Sequence, residues 1–231
     1  MHASLSVKVC GITEATAAHA AVDAGADYLG LVFAASRRQV DLEAARRLID
    51  QVEARWVGVF VDPDLDRVAE LVDRLGLHAV QLHGRESAGS CESLRIACGR
   101  PVWKALAWDA DEVDVEAYAA ATDALLFDTA AGDRLGGTGR TLPWERLAER
   151  LPGRPRRPPI FLAGGLGPDN VDRAVRTVDP DGVDASSRLE RSPGRKDPDR
   201  VDRFVRAARA AERSGPNRAT AAAPGEIEEP R

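Results

Sequence analysis

The chain has 231 residues, of which 44% are apolar and 30% are charged, a length that fits one large α/β domain or two small ones. Its 32 basic and 37 acidic side chains give a formal charge of −5, which argues against a nucleic-acid-binding protein with its basic surface. The sequence contains no apolar run of about 18 residues and no secretory signal, so we expect a cytoplasmic protein that contacts no membrane.

The basic residues are unevenly divided, with 29 arginines and only three lysines. This excess is typical of codon use in a GC-rich genome, so a cluster of arginines is weak evidence for a binding site. The cysteines, Cys10, Cys91 and Cys98, are odd in number and sparse, which does not predict a disulfide framework. No histidine or cysteine has the spacing of a zinc ligand set, so we expect no metal.

Eight short apolar segments alternate with amphipathic segments of about one helix each. The apolar segments scarcely alternate with polar residues, which is expected of parallel strands covered on both faces. The predicted strands are Leu5–Cys10, Asp27–Phe33, Trp56–Val61, Ala79–His83, Val102–Leu106, Ala124–Asp128, Ile160–Ala163 and Gly182–Ala185. The clearest predicted helices are Thr13–Ala24, Leu42–Glu53, Leu65–Leu75 and Pro168–Val178. We expect Thr13 to cap the first helix and Pro168 to lie in the first turn of the last.

Eight strands, each followed by a helix, predict an α/β fold that is a single (β/α)8 TIM barrel rather than an open doubly wound sheet. No linker rich in Pro or Gly interrupts the alternation, so residues 1–212 are predicted to form one barrel domain. Residues 213–231 are rich in Ala, Pro and Gly without apolar periodicity, which predicts a disordered tail.

In a TIM barrel the active site lies at the C-terminal ends of the strands, so the polar residues there are candidates. Cys10 ends the first strand and is either a small buried apolar residue or a reactive thiolate. Asp128 ends the sixth strand and either caps a turn or acts as a general acid, since an apolar setting would raise its pKa. His83 ends the fourth strand and either bonds to the barrel rim or contacts substrate. The glycine-rich loop 133–139 is a candidate mobile cover.

The last two strand ends indicate a phosphate site. Gly164 and Gly165 follow the seventh strand and open a helix, where backbone N–H groups can approach an anion. Ser186 and Ser187 follow the eighth strand and add hydroxyl and N–H groups. Because loops after strands seven and eight often bind phosphate in this fold, we expect a small phosphorylated molecule as the ligand.

Seven short motifs, in order and at plausible spacing, resemble those of the phosphoribosylanthranilate isomerase family. They are KVCGIT (8–13), GADYLG (25–30), GVFV (58–61), VQLHG (80–84), GGTG (136–139), LAGGL (162–166) and GVDASS (182–187). The resemblance extends from residue 5 to about residue 210. It is specific, because related sugar-phosphate isomerases carry aspartate where this chain has Cys10.

The resemblance implies a cofactor-free Amadori rearrangement in tryptophan biosynthesis, from N-(5-phosphoribosyl)anthranilate to 1-(2-carboxyphenylamino)-1-deoxyribulose 5-phosphate. It implies that Asp128 is the general acid that opens the sugar ring and that Cys10 is the general base that removes the proton from C2. It further implies that Arg38 binds the anthranilate carboxylate and that His83 and Asp184 contact the substrate. The resemblance also assigns the phosphate-binding loops of the family to Gly164 and Gly165 and to Ser186 and Ser187.

The most serious departure from the family pattern is at Arg188, and two alternative functions are also open. Arg188 stands where the family has glycine, directly after Ser187, and either obstructs the phosphate or adds a cation to its site. The first alternative is an isomerase that also serves histidine biosynthesis, against which Cys10 counts because such barrels carry aspartate there. The second is a non-catalytic barrel that binds a phosphorylated ligand or a partner protein. Both a monomer and a homodimer are compatible with the fold.

Overall fold

The computed structural model describes residues 4–108, 114–129, 142–151 and 157–214. Eight parallel strands close into a barrel in which each strand pairs with the next along the chain and the eighth pairs with the first. The strands are β1 (Ser6–Cys10), β2 (Tyr28–Val32), β3 (Trp56–Phe60), β4 (Ala79–Leu82), β5 (Val102–Ala107), β6 (Ala124–Asp128), β7 (Ile160–Leu162) and β8 (Gly182–Ala185). The predicted (β/α)8 barrel is confirmed.

Helices cover the outside of this barrel. Within the described ranges they are α1 (Ala15–Asp23), α2 (Leu42–Gln51), α3 (Leu65–Leu75), α4 (Ala88–Cys98), α5 (Val115–Ala121), α6 (Trp144–Arg150), α7 (Val171–Val178) and α8 (Pro198–Ser214). Between β8 and α8 the chain forms a short 3-10 turn (Ser187–Leu189) and a hairpin of two strands, β9 (Glu190–Ser192) and β10 (Arg195–Lys196).

Successive side chains of each strand point alternately to the helices and into the barrel. Toward the N-terminal ends of the strands, the inward side chains form an apolar layer that includes Val57, Trp103, Leu126 and Phe161. Farther along the strands, the inward positions become polar. The apolar layer therefore closes the barrel below a polar chamber that opens at the C-terminal ends.

The start of the first helix differs from the prediction. α1 begins at Ala15, and the hydroxyl of Thr13 does not cap it. Instead this hydroxyl donates a hydrogen bond of 2.7 Å to the carbonyl oxygen of Gly194 in the β9–β10 hairpin. A contact between residues so distant in sequence could not be read from the local capping pattern.

The start of the seventh helix also differs. α7 begins at Val171, so Pro168 precedes the helix rather than lying in its first turn. The Asn170 side chain accepts a hydrogen bond from the N–H of Gly167 and donates one to the carbonyl oxygen of Gly165. These two bonds close a separate turn between β7 and the helix.

The ends of the predicted domain can be compared only in part. α8 continues to Ser214, two residues beyond the predicted end of the barrel at 212. The candidate cover loop 133–139 and residues 215–231 of the predicted tail lie outside the described residues.

Candidate active site

The C-terminal ends of the strands surround a pocket, and every residue predicted for the site lines it. The nine predicted residues come from six of the eight strand ends, which explains why residues so far apart in the sequence come together. The nine residues are Cys10, Arg38, His83, Asp128, Gly164, Gly165, Asp184, Ser186 and Ser187.

Asp128 lies at the end of β6, facing His83. The Nε2 atom of His83 is 3.5 Å from Oδ2 of Asp128, and the Thr129 hydroxyl donates to its Oδ1 at 3.2 Å. Nδ1 of His83 lies 2.9 Å from Nε2 of Gln81. When the Gln81 amide donates to Nδ1, the neutral imidazole carries its proton on Nε2 and presents it to Asp128. The pair therefore has the contacts needed to hand a proton to a ligand.

Cys10 lies at the end of β1 with only 8% of its surface exposed. Two residues earlier on the same inward face, Lys8 is fully buried, and its Nζ atom is 3.1 Å from Oδ2 of Asp184. The pKa of the Cys10 thiol is raised, because burial and the Asp184 carboxylate together outweigh the lowering effect of the Lys8 ammonium. The thiol is thus placed where a neighbouring cation competes with desolvation.

Two buried oxygen atoms at the bottom of the pocket lack partners. Among the described residues, Oε1 of Gln81 and Oδ1 of Asp184 accept no hydrogen bond although both side chains are buried. An unsatisfied buried acceptor is costly, so a ligand with donor groups would stabilise it. Both residues line the pocket, and their oxygens suit the hydroxyl groups of a sugar.

The loops after β7 and β8 present backbone donors. Gly164 and Gly165 have φ values of +79° and +66°, which favour glycine because side chains with a Cβ are strained there. In the described part of the chain, the N–H groups of Gly165, Ser186 and Ser187 donate no hydrogen bond. Free N–H groups on two facing loops form an anion site, as expected for a phosphate.

Arg188 lies beside this anion site rather than in the lining of the pocket. Its guanidinium donates to Oδ2 of Asp169 at 2.7 Å and to the carbonyl oxygen of Gly165 at 3.2 Å. Gly167 makes room for it, because a Cβ atom there would lie 3.1 Å from the Cβ of Arg188. Arg188 thus joins the two phosphate loops, and the structure gives no support to an obstruction of the pocket.

Arg38 is held by a carboxylate of the hairpin. Its Nε and Nη2 atoms donate to the two carboxylate oxygens of Glu190 at 2.6 and 3.0 Å, and Nζ of Lys196 lies 3.0 Å from Oε1 of that group. The backbone at Gly11 has a φ of +76°, and a Cβ there would lie 2.6 Å from Cδ of Arg38. Gly11 therefore lets the arginine cross the turn after Cys10, with one edge oriented by Glu190.

Four polar residues of this site were not singled out from the sequence, namely Lys8, Gln81, Glu190 and Lys196. All four are buried. Lys8 and Gln81 are polar residues within otherwise apolar strands, a pattern that could have marked them as inward-facing. Glu190 and Lys196 lie in a hairpin whose position depends on distant contacts, so the sequence carried no comparable signal.

Two further classes of feature are not found among the residues that the structure describes. No three His, Cys, Asp or Glu side chains there are placed to hold a metal ion. Likewise, no helix there is long and apolar enough to cross a bilayer.

Comparison with known proteins identifies one family. Residues 7–207 match the family model described as N-(5'phosphoribosyl)anthranilate (PRA) isomerase. The N-(5'-phosphoribosyl)anthranilate isomerase of Azorhizobium caulinodans is 45% identical over 201 residues, which cover 84% of this chain and 86% of the relative.

Solved structures give the same result. A crystal structure of phosphoribosyl anthranilate isomerase in complex with reduced 1-(o-carboxyphenylamino)-1-deoxyribulose 5-phosphate has a TM-score of 0.75 at 32% identity, over 89% of this chain and 99% of that one. Mutually generated monomers of the dimeric isomerase from Thermotoga maritima have a TM-score of 0.75 at 34% identity, with the same coverage.

Proposed function

The chain belongs to the phosphoribosylanthranilate isomerase family, and on that basis we propose that it catalyses the Amadori rearrangement of N-(5-phosphoribosyl)anthranilate. The product is 1-(2-carboxyphenylamino)-1-deoxyribulose 5-phosphate, and the reaction is a step of tryptophan biosynthesis. The observation that carries the proposal is the convergence of an acid, a thiol and an anion site on the pocket of a barrel with 45% identity to an isomerase of this family.

Asp128 acts as the general acid in the first step. Its protonated carboxyl group gives a proton to the ring oxygen of the furanose, the C1–O bond breaks, and the anilino nitrogen forms an iminium ion with C1. The contacts from His83 and Thr129 to the two carboxylate oxygens orient the group and stabilise the negative charge left behind.

Cys10 acts as the general base in the second step. The iminium ion acidifies the neighbouring C–H bond, so a thiolate of moderate basicity can remove the proton from C2. The electron pair of the C–H bond forms a C1–C2 double bond and neutralises the nitrogen, which gives an enolamine. Its hydroxyl proton is then lost while C1 gains a proton, which yields the ketone without a metal or cofactor.

The remaining site residues bind the substrate. The N–H groups of the loops after β7 and β8 hold the phosphate, with Gly164, Gly165, Ser186 and Ser187 as its partners. Arg38 binds the anthranilate carboxylate, and Glu190 fixes the edge of the guanidinium that faces away from that ligand. Asp184 accepts a hydrogen bond from a sugar hydroxyl through its unpartnered oxygen.

The test is to follow purified protein with N-(5-phosphoribosyl)anthranilate by the fluorescence of the anthranilate group. Turnover, together with growth of a tryptophan-auxotrophic strain that lacks the isomerase, is the expected result. Binding of the product by calorimetry without turnover would contradict the proposal and favour a non-catalytic barrel. Equal turnover of the aminoimidazole carboxamide ribotide of histidine biosynthesis would favour the dual-substrate alternative.

Three further predictions go with this function. We propose that residues 1–212 suffice for activity, that the protein works in the cytoplasm, and that it is a monomer or a homodimer. Light scattering on the purified chain distinguishes the two oligomeric states, and activity of a chain ending at 212 tests the domain boundary.

A further inference from the structure

Lysine is rare in this chain, and every lysine is buried. Only three of the 32 basic side chains are lysines, and Lys8, Lys104 and Lys196 have relative exposures of 0%, 2% and 1%. At an exposed position arginine can replace lysine, whereas a small buried site accepts the compact ammonium but not the planar guanidinium. The three lysines therefore mark positions where the fold needs an ammonium group.

The contacts of Lys104 explain why a lysine is buried at this position. Its Nζ atom donates to the carbonyl oxygens of Gly84 and Ala105, both at 2.8 Å, and lies 3.1 Å from Oε2 of Glu86. Three acceptors match the three protons of an ammonium group. The side chain faces the helices, 5.9 Å from the ring of Tyr118, so its role is to join β5 to the outer layer.

Lys8 differs because, among the residues that the structure describes, its ammonium group has fewer oxygen acceptors than it has protons to donate. In the described part of the chain, its Nζ atom has one oxygen partner, Oδ2 of Asp184 at 3.1 Å. Cys10 lies two residues later on the same inward face of β1, and each of the two groups shifts the pKa of the other. The buried ammonium group is therefore shared between the Asp184 carboxylate and the neighbourhood of the Cys10 thiol.

We propose that Lys8 is a positioning residue for the base, whose ammonium group donates a hydrogen bond to Sγ and favours the thiolate form of Cys10 while Asp184 fixes the ammonium group. The inference rests on the proposed isomerase function, in which Cys10 must be ionised. Without a nearby cation a buried thiol stays protonated and removes no proton from carbon.

The proton count of the reaction explains why the cation is needed on this side of the pocket. The reactive form has a proton on Asp128 and none on Cys10, and moving that proton to the sulfur gives an inactive form with the same total charge. A fixed ammonium group beside Sγ favours the reactive form. When the thiolate takes the C2 proton, Lys8 itself neither gains nor loses one.

The other charged groups around Cys10 have opposing effects. Asp184 on β8 disfavours the thiolate, and Lys196 on β10 favours it. Asp128 and His83 line the same pocket, and Glu190 pairs with both Lys196 and Arg38. Lys8 shares the inward face of β1 with Cys10, and of the two cations it lowers the pKa of the thiol more than Lys196 does, so its removal is expected to have the largest effect.

The experiment measures the pH at which Cys10 reacts with iodoacetamide, resolved by peptide mass spectrometry, in the wild-type protein and in Lys8→Met. Methionine keeps the length of the side chain and removes the charge. We expect the midpoint for Cys10 to rise by about one to three pH units, as for the loss of a nearby opposite charge. The rising limb of kcat/KM against pH should move by the same amount.

The controls separate charge from folding. Lys104→Met removes an equally buried lysine that does not contact Cys10 and should leave the midpoint unchanged. If Lys8→Met fails to fold because Asp184 is left unpaired, Lys8→Met with Asp184→Asn is compared with Asp184→Asn alone, and the same rise is expected. Cys91, whose pKa burial raises to about 11, gives an internal reference for a thiol outside the pocket.

The outcomes distinguish this inference from the function on which it rests. A wild-type protein that turns over substrate while the Cys10 midpoint stays in place in the folded Lys8 variant would overturn the role of Lys8 and leave the isomerase assignment intact. An equal shift in Lys104→Met would also overturn it. If the wild-type protein shows no turnover, the proposed function is wrong, whatever the pH midpoints of Cys10 are.

Discussion

The two sides of the pocket use different functional groups, side chains on one side and backbone N–H groups on the other. On the acid–base side, Cys10 and Asp128 are side chains held by other side chains, including the buried charges of Lys8 and Asp184. On the phosphate side, the donors are backbone N–H groups whose direction is set by the φ angles of two glycines. The first side controls which atoms carry protons, and the second controls where the substrate lies.

This difference predicts which kinetic parameter a substitution on each side should change. A side-chain group can be deleted without moving the backbone, so on the acid–base side a change should lower kcat and leave binding nearly intact. A backbone donor can be removed only by changing the conformation of the loop, so on the phosphate side a change should raise KM.

The largest effects are expected for Cys10→Ala and Asp128→Asn. Each removes one group that transfers a proton, so kcat should fall by about 10²- to 10⁴-fold while KM changes little. The measurement is steady-state turnover followed by anthranilate fluorescence, with Cys98→Ala, a cysteine of the outer helix α4, as the matched control. Wild-type rates in both variants would show that the assigned roles are wrong.

Gly164→Ala is expected to change both kcat and KM, because this glycine contacts both the phosphate loop and Asp128. Its φ is +79°, and a Cβ there would lie 2.7 Å from the backbone nitrogen of Thr129 and 3.0 Å from Oδ1 of Asp128. We expect KM to rise about tenfold from strain in the loop, and kcat to fall as well because Asp128 is displaced. Gly165→Ala, with a φ of +66°, should raise KM with a smaller effect on kcat. Equal loss of kcat in both variants would contradict a separate phosphate side.

Arg188→Ala is expected to have a smaller effect, confined to binding. The variant loses the link from Asp169 to the carbonyl oxygen of Gly165 and removes a cation beside the phosphate loops. KM should rise about threefold to tenfold and depend less on salt, with kcat unchanged. Arg176→Ala on α7 removes an exposed arginine paired with Asp172 and serves as the control for net charge. A fall in KM would instead mean that Arg188 obstructs the phosphate.

The sequence predicted the barrel and the members of the pocket because both depend on local signals. Eight predominantly apolar segments separated by amphipathic ones indicate buried parallel strands, and the fold places the residues that follow them at one end. The contacts that decide how the residues act are not local. Lys8 meets Asp184 from the other end of the chain, and Thr13 meets Gly194 instead of capping its own helix. Such pairings depend on closure of the barrel, which a single strand or helix does not encode.

The smallest expected effect is on stability rather than on rate, and it tests the link between the hairpin and the acid–base side. Burial of Glu190 acts to raise its pKa, but hydrogen bonds from Arg38 and the charge of Lys196 outweigh it, so that pKa is lowered.

A carboxyl group whose pKa is lowered by folding stabilises the folded state at pH values above the pKa of the unfolded chain, which is near 4.3. This contribution is lost as the pH falls through the pKa of the folded state. Glu190→Gln should therefore be less stable than the wild type at neutral pH, and the difference should narrow on acidification below that range. Denaturant unfolding at several pH values measures it. Glu145→Gln, whose partner Arg173 is exposed, is the matched control and should change stability little, because solvent screens that pair. A difference for Glu190→Gln that stays constant with pH would mean that its charge does not hold Arg38 and Lys196 in place.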